Sequence, residues 1–344
     1  MPAPRLSLIV VTWNGRALLE RCLPSVRAAC PAWAEIVVVD NGSSDGTVAW
    51  LEETAPDVRV VALGENRGFC GGNNAGFAAT AGEFALFLNN DVEVTPGWLG
   101  PLAEHMDAHP ACAALQPKLL RHDVRTRFEY AGAAGGYLDR LGYPFTRGRL
   151  FDTLEDDAGQ YDDARRVFWA TGAALLVRRG AVEGAPFDER FFMHMEEIDL
   201  CWRLWRAGHE VWCVPSSVVY HIGGASLPQG DARKAYFNFR NNLLLLYKNL
   251  PTREWLRIFP QRAALDAVAA LRALASGRPA EATAIARAYL DAHRMRGAFA
   301  GPRPETARPF PPYRGLVVAD YFARGRQRFS DLPREAFAGV FGPA

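Results

Sequence analysis

Short apolar runs alternate with stretches of helical periodicity through the N-terminal part of the chain, and this alternation most restricts the fold. The run "LSLIVV" (6–11) is almost entirely apolar, which is typical of a strand buried on both faces of a parallel sheet. The stripe that follows it has helical spacing and consists of Leu19, Cys22, Leu23 and Val26. Further strands are predicted at 35–40, 58–63 and 84–88, and further helices at 47–53 and 72–80. Repeated βαβ units of this kind predict an α/β fold with a mostly parallel sheet and right-handed crossovers.

The pattern changes along the chain of 344 residues and predicts two regions. Residues 1–232 are predicted to form the α/β domain, and residues 233–344 an Arg-rich helical region. Within the first region we predict loops and a small hairpin at 115–165, strands at 167–179 and 210–214, and a helix at 196–209. Within the second we predict helices at 233–249, 252–275 and 279–296, then a Pro/Gly/Arg stretch at 301–315 and a tail.

The net charge of +1 is unevenly distributed between these two regions. Residues 233–344 contain 19 basic and 8 acidic residues, whereas residues 1–232 contain 20 basic and 30 acidic ones. Such asymmetry predicts an anionic partner for the second region, and a membrane surface is one candidate. An Arg-rich solvated face is the equally weighted structural alternative. No nucleic acid is expected, because no recognised nucleic-acid-binding module accompanies the charge.

The cysteines and the apolar runs indicate the compartment. The six cysteines form no CxxC pairs, so neither a zinc site nor a disulfide framework is expected, and a reducing compartment is favoured. No signal peptide opens the sequence, and no apolar run approaches the roughly 18–20 residues needed to cross a bilayer. We therefore expect a cytoplasmic protein, with peripheral binding to the inner face of the membrane as a further possibility.

Polar residues follow each of the first four predicted strands. Because the carboxyl ends of parallel strands meet at one edge of a sheet, these clusters predict a ligand site there. No G-x-G-x-x-G follows the first strand and no Walker A sequence is present, so neither a nicotinamide nor a P-loop site is expected. The clusters are "TWNG" (12–15), "DNGSSDGT" (40–47), "ENRGFCGGNNAG" (65–76) and "NNDVEVTP" (89–96).

These motifs resemble those of the inverting glycosyltransferases of family 2, and in particular the bacterial rhamnosyltransferase-like enzymes. The resemblance covers roughly residues 5–250. It is carried, in order, by "SLIVVTWNG", "VVVDNGSSDGT", "ENRGFCGGNNAG", "FLNNDVEV", "FDERFFMHMEEIDLCWR" and "VVYHIGGAS". It implies a GT-A fold, a Rossmann-like domain with a mostly parallel central sheet, followed by the helical C-terminal region. It places the nucleotide-binding half at about 1–95 and the acceptor half at about 96–232.

The resemblance also implies a reaction. A sugar would pass from a UDP- or dTDP-linked donor to a hydroxyl of a glycan or lipid-linked saccharide, as in cell-surface polysaccharide synthesis. A divalent ion, Mn²⁺ or Mg²⁺, would stabilise the departing diphosphate. Two alternatives stay open: a catalytically silent sugar-nucleotide-binding protein, and a nucleotidyltransferase that makes the sugar nucleotide. The oligomeric state is open too, and a homo-oligomer is possible.

The metal site is predicted from two of the motifs. "NND" occupies the position of the family's DxD, so Asp91 is the predicted direct ligand and Asn89 a contact to ribose or to a water on the metal. His221 in "VYHIGG" resembles the family histidine that reaches the same ion or diphosphate, and imidazole suits Mn²⁺ better than Mg²⁺. Glu93 is placed behind the direct ligands. A capping role for Asp91 and a structural role for His221 are the alternatives.

The donor pocket is predicted around Asp40. The resemblance implies that Asp40 accepts a hydrogen bond from a pyrimidine ring, which suits a carboxylate because it only accepts. A simple turn-forming role in "DNGSSDG" is the alternative. The remaining pocket residues are predicted to be Thr12, Asn14, Ser43, Asn66, Gly68, and Asn73 or Asn74.

The general base is predicted in "HMEEIDLCWR". Family members usually have Glu-Asp where this chain has Glu196 and Glu197, so Glu197 stands at the position of the base. Asp199 is the second candidate, although an i, i+4 salt bridge to Arg203 would explain it equally well. "WATGA" (169–173) resembles the acceptor-side wall, where Trp169 is either a platform for a sugar ring or plain packing.

Overall fold

The computed structural model describes residues 4–223, 231–301 and 313–337. The strands are β1 (Leu6–Thr12), β2 (Ala34–Asp40), β3 (Arg59–Ala62), β4 (Phe84–Asn89), β5 (Val92–Val94), β6 (Cys112–Arg121), β7 (Gly136–Leu138), β8 (Pro144–Thr146), β9 (Arg149–Leu150), β10 (Thr153–Leu154), β11 (Arg165–Arg166), β12 (Ala174–Arg178) and β13 (Glu210–His221). The helices are α1 (Arg16–Ala28), α2 (Thr47–Thr54), α3 (Gly68–Ala78), α4 (Leu99–Ala108), α5 (Glu196–Arg206), α6 (Ala232–Asn249), α7 (Thr252–Ala275), α8 (Pro279–Met295) and α9 (Val317–Phe322).

A nine-stranded sheet forms the centre of the α/β domain, in the order β11-β13-β6-β12-β4-β1-β2-β3 with β5 paired to β13. Within β1 to β4, the neighbouring strands pair in parallel, as predicted: β1 with β2 and β4, and β2 with β3. The strand β6 is parallel to β13. The strand β12 is antiparallel to both β4 and β6. The prediction of an α/β fold with a mostly parallel central sheet is confirmed.

Alternate residues of β1 contribute to two separate cores, which explains the continuous apolar run. Leu8 and Val10 pack on one face of the sheet in the cluster that contains Leu19 of α1. Ile9 packs on the other face in the cluster that contains Phe77 of α3. A parallel strand covered by helices on both faces requires this composition.

The stretch 115–165 is more regular than predicted. It contains most of β6 and a separate four-stranded antiparallel sheet, β10-β9-β8-β7, instead of one hairpin. The strand predicted at 167–179 is shortened to β12, because residues before it bond elsewhere: the N–H of Val167 donates to Val211 and that of Phe168 to Gly136. The helices α1, α2, α3, α5, α6, α7 and α8 lie close to their predicted positions.

The C-terminal helices pack onto the α/β domain. Four consecutive leucines of α6, at 243–246, are buried in the same apolar cluster as Phe168 and Trp202. The chain at 313–337 also returns to the small sheet, where Tyr313 and Phe329 pack near Phe145. The domain boundary at 232 therefore remains a prediction based on composition. Most of the predicted stretch 301–315 and the end of the tail lie outside the described residues.

In the described part of the chain, no helix has the length and apolarity that crossing a bilayer requires.

Candidate active site

The strand ends bring the predicted polar clusters to one edge of the sheet. Thr12 pairs in register with Asp40, and Val11 pairs with Asn89, so three of the four motifs start side by side. The Asn90 amide donates to the Thr12 hydroxyl at 2.9 Å and joins the first and fourth motifs directly. The edge predicted from four separate sequence motifs is thus a single surface.

Asp91 and His221 meet at this edge, although 130 residues separate them in the sequence. The strand β13 ends beside β5, with His221 paired to Val92, and this register brings the imidazole to the carboxylate. Nε2 of His221 lies 3.0 Å from Oδ1 of Asp91, and the Asn89 amide nitrogen lies 3.4 Å from the same Nε2. The structure therefore brings together the residues predicted to surround the metal.

A third residue, Glu129, completes this cluster and was not predicted. Its Oε1 lies 3.3 Å from Nδ1 of His221, so the imidazole stands between two buried carboxylates. Glu129 falls in an irregular stretch without periodicity, and no motif in the sequence marks it. Only the fold reveals its role.

The charges in this cluster stabilise one another. Burial alone would lower the pKa of His221, but the carboxylates of Glu129 and Asp91 outweigh burial and raise that pKa well above its usual range. Burial raises the pKa of Asp91 and of Glu129, but the charge of His221 outweighs it and lowers both. These opposite charges hold the three side chains together, and an ion bound at Nε2 of His221 would have to displace the proton from that nitrogen.

The donor set of this cluster fits a divalent ion that is only partly enclosed by protein. Within the described ranges, no group of three or more His, Cys, Asp or Glu side chains is arranged to surround a metal. Asp91 offers a carboxylate and His221 an imidazole nitrogen, while Glu129 stands on the far side of the ring. Mg²⁺ commonly binds one or two carboxylates and takes its other ligands from substrate phosphates and water, and Mn²⁺ also accepts imidazole.

Asp40 has the free acceptor that a ligand N–H requires. It is buried at the end of β2, and its Oδ2 accepts from the Ser43 N–H at 3.1 Å. Its Oδ1 is buried without a hydrogen-bond partner in the described part of the chain. An unpaired buried carboxylate oxygen costs free energy unless a ligand satisfies it, so the geometry is compatible with the predicted contact.

The other predicted pocket residues mainly shape the loops around Asp40. Asn14, at φ 48°, accepts from the Ser44 N–H at 2.8 Å, and its own N–H donates to Ser43. The Asn66 side chain accepts from the Gly68 N–H at 2.9 Å. Gly68 has φ +71°, and a Cβ there would lie 2.5 Å from the Phe192 ring, so no other residue fits.

Asn74 faces a different segment from the other pocket residues. Its amide nitrogen donates to the Phe187 carbonyl at 2.8 Å and to Glu189 at 3.1 Å, and its oxygen accepts from the Phe187 N–H. Asn73 is also engaged, since it donates to the Phe69 carbonyl. These two asparagines tie α3 to its surroundings, and their predicted contact with a nucleotide stays a prediction.

Trp13 is an exposed aromatic residue that the sequence analysis did not assign. It directly follows Thr12 at the edge of the sheet, and 55% of it is exposed. An indole ring in this position can stack on a nucleotide base, since every base has a π face. The signal available in the sequence was an aromatic residue among polar ones at a strand end.

Glu197 has the properties of a general base. It lies in the first turn of α5, and its Oε2 is buried without a hydrogen-bond partner in the described ranges. Burial raises its pKa to about 7, against the opposing effect of backbone N–H groups. A carboxylate that exchanges its proton near neutral pH is suited to accept one from a hydroxyl. The neighbouring Glu196 holds its proton more firmly, because burial and the charge of Glu197 raise its pKa well above the usual range.

Glu197 lies one short loop away from the metal motif. A Cβ on Gly172 would be 3.8 Å from Cβ of Glu197, so the backbone at 172 runs beside this residue. The next carbonyl, that of Ala173, accepts from the Asn89 N–H at 3.0 Å. The loop 170–173 therefore connects the two predicted parts of the site.

Asp199 is part of a buried ionic network and not a free base. It is fully buried, and it pairs with Lys248 at 2.8 Å and with Arg203 at 3.0 Å. Burial raises its pKa, but the charges of Lys248 and Arg203 outweigh burial and lower it. The i, i+4 salt bridge weighed in the sequence analysis is present, and the geometry disfavours Asp199 as the base.

Trp169 is packed and not a platform. It is buried, its Nε1–H donates to the Tyr137 carbonyl at 3.1 Å, and a Cβ on Gly136 would overlap its ring.

Glu93 accepts from Arg125 at 2.8 Å and lies 2.9 Å from Nε2 of His122. The role of Glu93 behind the direct ligands stays a prediction.

The loop that enters α5 has an unusual backbone. Three of its residues have positive φ although none is glycine, namely Phe192 (67°), His194 (67°) and Met195 (72°). Each such residue costs about 1–3 kcal/mol unless its surroundings hold it. The Phe192 carbonyl also accepts from the Cys70 N–H, so this loop contacts the donor-side helix α3.

Asn241 of α6 holds this loop in place. Its buried amide nitrogen lies 3.0, 2.7 and 2.8 Å from the carbonyl oxygens of Phe191, Met193 and His194. Arg240 donates to the Phe191 carbonyl as well, at 3.0 Å. A helix from the C-terminal region thereby positions the residues that precede Glu197.

Comparison with known proteins gives a consistent result. The family "Glycosyl transferase family 2" matches residues 7–162. An N-acetylglucosaminyl-diphospho-decaprenol L-rhamnosyltransferase of Mycobacterium tuberculosis is 33% identical over 233 residues, which cover 63% of this chain and 75% of that protein. The O-antigen biosynthesis protein RfbC of Myxococcus xanthus is 29% identical over 248 residues, which cover 69% of this chain but only 19% of that protein.

Solved structures agree on the fold. The structure of GalNAc-T7 with UDP, GalNAc and Mn²⁺ superposes with a TM-score of 0.56 at 17% identity, over 73% of this chain and 49% of that one. The mannosyltransferase PcManGT of Pyrobaculum calidifontis, in complex with GDP-Man and Mn²⁺, superposes with a TM-score of 0.50 at 16% identity, over 86% and 79%. At such identities these likenesses concern the fold, which is the GT-A fold expected from the motifs.

Proposed function

The chain belongs to glycosyltransferase family 2 and is an enzyme that transfers sugars, and from this premise we propose which substrates and residues it uses. We propose that it moves a sugar from a UDP- or dTDP-linked donor to a hydroxyl of a glycan or lipid-linked saccharide, with inversion. The reaction would take place in the cytoplasm or at the inner face of the membrane. The meeting of Asp91 and His221 at the end of β4 carries this proposal.

The donor is bound along the edge formed by β1, β2 and β4. Oδ1 of Asp40 accepts from the pyrimidine ring, and Ser43 and the Asn14 loop hold that carboxylate in position. Trp13 stacks on the base. Thr12 and Asn89 stand between the base and the diphosphate, because Thr12 is in register with Asp40 and Asn89 lies one strand further. Residues 1–95 therefore supply most of the donor contacts.

Asp91 and His221 would hold the divalent ion, Mn²⁺ or Mg²⁺, which when bound would supply the positive charge that stabilises the departing diphosphate. Glu129 keeps a proton on Nδ1 of His221, which leaves Nε2 to face Asp91 and the ion. Such a partner fixes both the tautomer and the orientation of the ring.

Glu197 accepts the proton from the acceptor hydroxyl. The hydroxyl oxygen then attacks the anomeric carbon in line with the bond to the diphosphate, which leaves with both of that bond's electrons. A single displacement of this kind inverts the configuration and needs no covalent enzyme intermediate. The loop 170–173 sets the distance between Glu197 and the donor-side motif, since it contacts both. Residues 96–232 supply this acceptor half.

A substrate screen tests the proposal. Thermal unfolding is measured with UDP, dTDP and GDP and their sugars, with and without Mn²⁺, and positive donors are then incubated with a polyprenyl-diphosphate saccharide. We expect stabilisation by one pyrimidine nucleotide that increases with Mn²⁺, and release of the nucleoside diphosphate only with acceptor present. If a nucleotide stabilises the protein but neither sugar transfer nor donor hydrolysis is detected, the catalytically silent alternative is favoured. If pyrophosphate is released from a nucleoside triphosphate, the nucleotidyltransferase alternative is favoured.

A further inference from the structure

The helix α7 exposes apolar side chains and buries charged ones, the reverse of a helix on a soluble surface. Arg262 and Asp266 are buried, and Asp266 also accepts hydrogen bonds from Tyr143 and Tyr289 at 2.7 Å. The opposite face is exposed and apolar, and we refer to it as the α7 stripe: Leu256, Pro260, Ala264, Val268, Leu271 and Leu274. Ordinary protein surfaces expose charged side chains and bury leucines, so the reversed arrangement on α7 calls for an explanation.

The α7 stripe is a continuous surface and not a set of scattered residues. Its members follow one another at intervals of three or four positions, so they lie on one side of the helix. The larger ones are strongly exposed: Leu256 by 65%, Val268 by 61% and Leu271 by 64%. A contiguous apolar surface of this kind marks an interaction site. Ile258 and Arg262 of the same helix are buried and do not belong to the stripe.

Arginines outnumber carboxylates beside the stripe, where Glu254 is the acidic neighbour of Arg253 and Arg257. Arg253 and Arg257 lie at its N-terminal end, and Arg272 lies near its C-terminal end. No ion pair joins Arg253 or Arg257 to a carboxylate within the described ranges, and together with Arg140 and Glu254 they line a cleft of about 660 Å³. Arg272 lies over the ring of Phe322, which is also partly exposed. The stripe itself contains no acidic residue.

We propose that the α7 stripe lies in the surface of an anionic bilayer, with Arg253 and Arg257 on lipid phosphates. An apolar face bordered by arginines is the arrangement by which an amphipathic helix binds in the plane of the interface. The negative surface potential of a leaflet attracts each basic residue close to it. This inference concerns a surface away from the donor site and does not depend on the proposed reaction.

A second copy of this chain fits the same face less well. Pairing two α7 stripes would bring Arg253 and Arg257 of both copies into the contact, where Glu254 offers only one carboxylate per copy to these two arginines. Burying such charges unpaired is costly. An anionic bilayer can bury the leucines and pair its phosphates with the arginines at once, so it is the partner that fits this surface.

Vesicle co-sedimentation of the full chain tests the proposal. Vesicles of phosphatidylcholine alone are compared with vesicles that contain about three parts in ten of phosphatidylglycerol, at about 0.1 M salt. The wild-type chain is expected to bind the anionic vesicles. Leu271→Ser/Leu274→Ser should weaken binding about tenfold or more, because interfacial binding depends on the apolar area buried. Arg253→Gln/Arg257→Gln should weaken vesicle binding by at least the same factor, because each arginine contributes about fivefold and the two contributions multiply.

Matched changes on α8 serve as controls. Leu290 is as exposed as Leu271, but it stands among polar residues, so Leu290→Ser should change vesicle binding less than twofold. Arg287→Gln/Arg294→Gln removes the same charge as the α7 pair, but both arginines already pair with Asp291. Thermal stabilisation by the donor should be unchanged in all four variants, which separates this test from that of the reaction.

Three results would overturn the proposal. The first is no binding of the wild-type chain to anionic vesicles. The second is binding that survives the serine changes in the α7 stripe. The third is a dimer, measured by light scattering, that Leu271→Ser/Leu274→Ser dissociates while vesicle binding persists, since the stripe would then be an interface between copies.

Discussion

Nε2 of His221 lies 3.0 Å from Oδ1 of Asp91, at the point where β13 ends beside β5. In the described part of the chain, no third His, Cys, Asp or Glu joins them in an arrangement that would surround a metal, so the proposed ion would take its other ligands from the donor and water. The Glu129 carboxylate lies on the other side of the imidazole, next to Nδ1. This relationship links the sheet topology to the chemistry, because only the return of β13 to the sheet brings His221 to Asp91.

Glu129→Gln should weaken Mn²⁺ binding about 10- to 100-fold, because the amide no longer provides the charge that orients His221. The affinity is measured by electron paramagnetic resonance of free Mn²⁺ with a nucleoside diphosphate present. Glu155→Gln is the control, since Glu155 is a buried carboxylate whose side chain accepts hydrogen bonds from Tyr161 and the Phe329 N–H instead of orienting His221. Equal Mn²⁺ affinities in the wild type and Glu129→Gln would rule out the positioning role of Glu129.

The pH profile should identify Glu197 as the base. Because its pKa is about 7 and the ionised form accepts the proton, kcat/KM should rise with pH and level off above about pH 8. Glu197→Gln should lower kcat about 10²- to 10⁴-fold and remove this limb of the profile. Glu196→Gln should retain it, because burial and the charge of Glu197 raise the pKa of Glu196 and disfavour it as a proton acceptor. An unchanged profile in Glu197→Gln would place the base elsewhere.

The same pKa predicts a stability effect with a definite sign. A carboxyl whose pKa is raised in the folded state destabilises that state as pH rises from its unfolded value toward about 7. Glu197→Gln removes this penalty, so relative to the wild type it should gain up to about 3 kcal/mol in unfolding free energy between pH 4 and pH 8. Urea unfolding at both pH values checks this. A difference that stays constant with pH would contradict the raised pKa.

Asp199→Ala should behave in the opposite way. It removes the partner of Lys248 and Arg203 in a buried network, which should cost about 3–5 kcal/mol at pH 7. Because the pKa of Asp199 is lowered, its contribution is present at neutral pH and is lost as pH falls through the folded-state pKa. If the folded fraction of the variant lost kcat as fully as Glu197→Gln does, Asp199 would have to be regarded as the base.

Asn241→Ala tests whether α6 positions the base. Without its amide, the loop 191–195 loses the contact to three carbonyl oxygens, so kcat should fall by about tenfold or more while donor KM changes little. Asn249→Ala is the control, because Asn249 is an equally buried amide of α6 that bonds Asp199 and not this loop. Comparable kcat values in the two folded variants would show that Asn241 acts on stability alone.

The strands β1 to β4 and the helix α5 could be predicted because each carries its own periodicity and end signals. The strand β6 could not, because it contains two buried polar residues that only tertiary contacts explain. Gln116 bonds the Thr171 backbone, and Lys118 pairs with Asp157 at 2.8 Å. Local patterns do not show that such side chains will be satisfied inside a protein.

The same distinction applies to the site. Asp40, Asp91 and Glu197 stand at strand and helix ends that the sequence marks. The part played by Asp199 depended on Lys248, which is 49 residues away, and Glu129 lies in a stretch with no regular pattern. The face of α7 that is buried was equally unavailable, since the helix has apolar residues on both sides.

Binding of Mn²⁺ to the wild type and to Asp91→Asn tests the central claim most directly. Free Mn²⁺ is titrated by electron paramagnetic resonance in the presence of the nucleoside diphosphate that stabilises the protein, with Asp123→Asn, a change at an exposed surface carboxylate, as the control. The wild type and Asp123→Asn should bind one ion per chain, and Asp91→Asn should bind it at least tenfold more weakly. If Asp91→Asn bound Mn²⁺ as tightly as the wild type, the ion would not be held at Asp91 and the proposed metal site would be wrong.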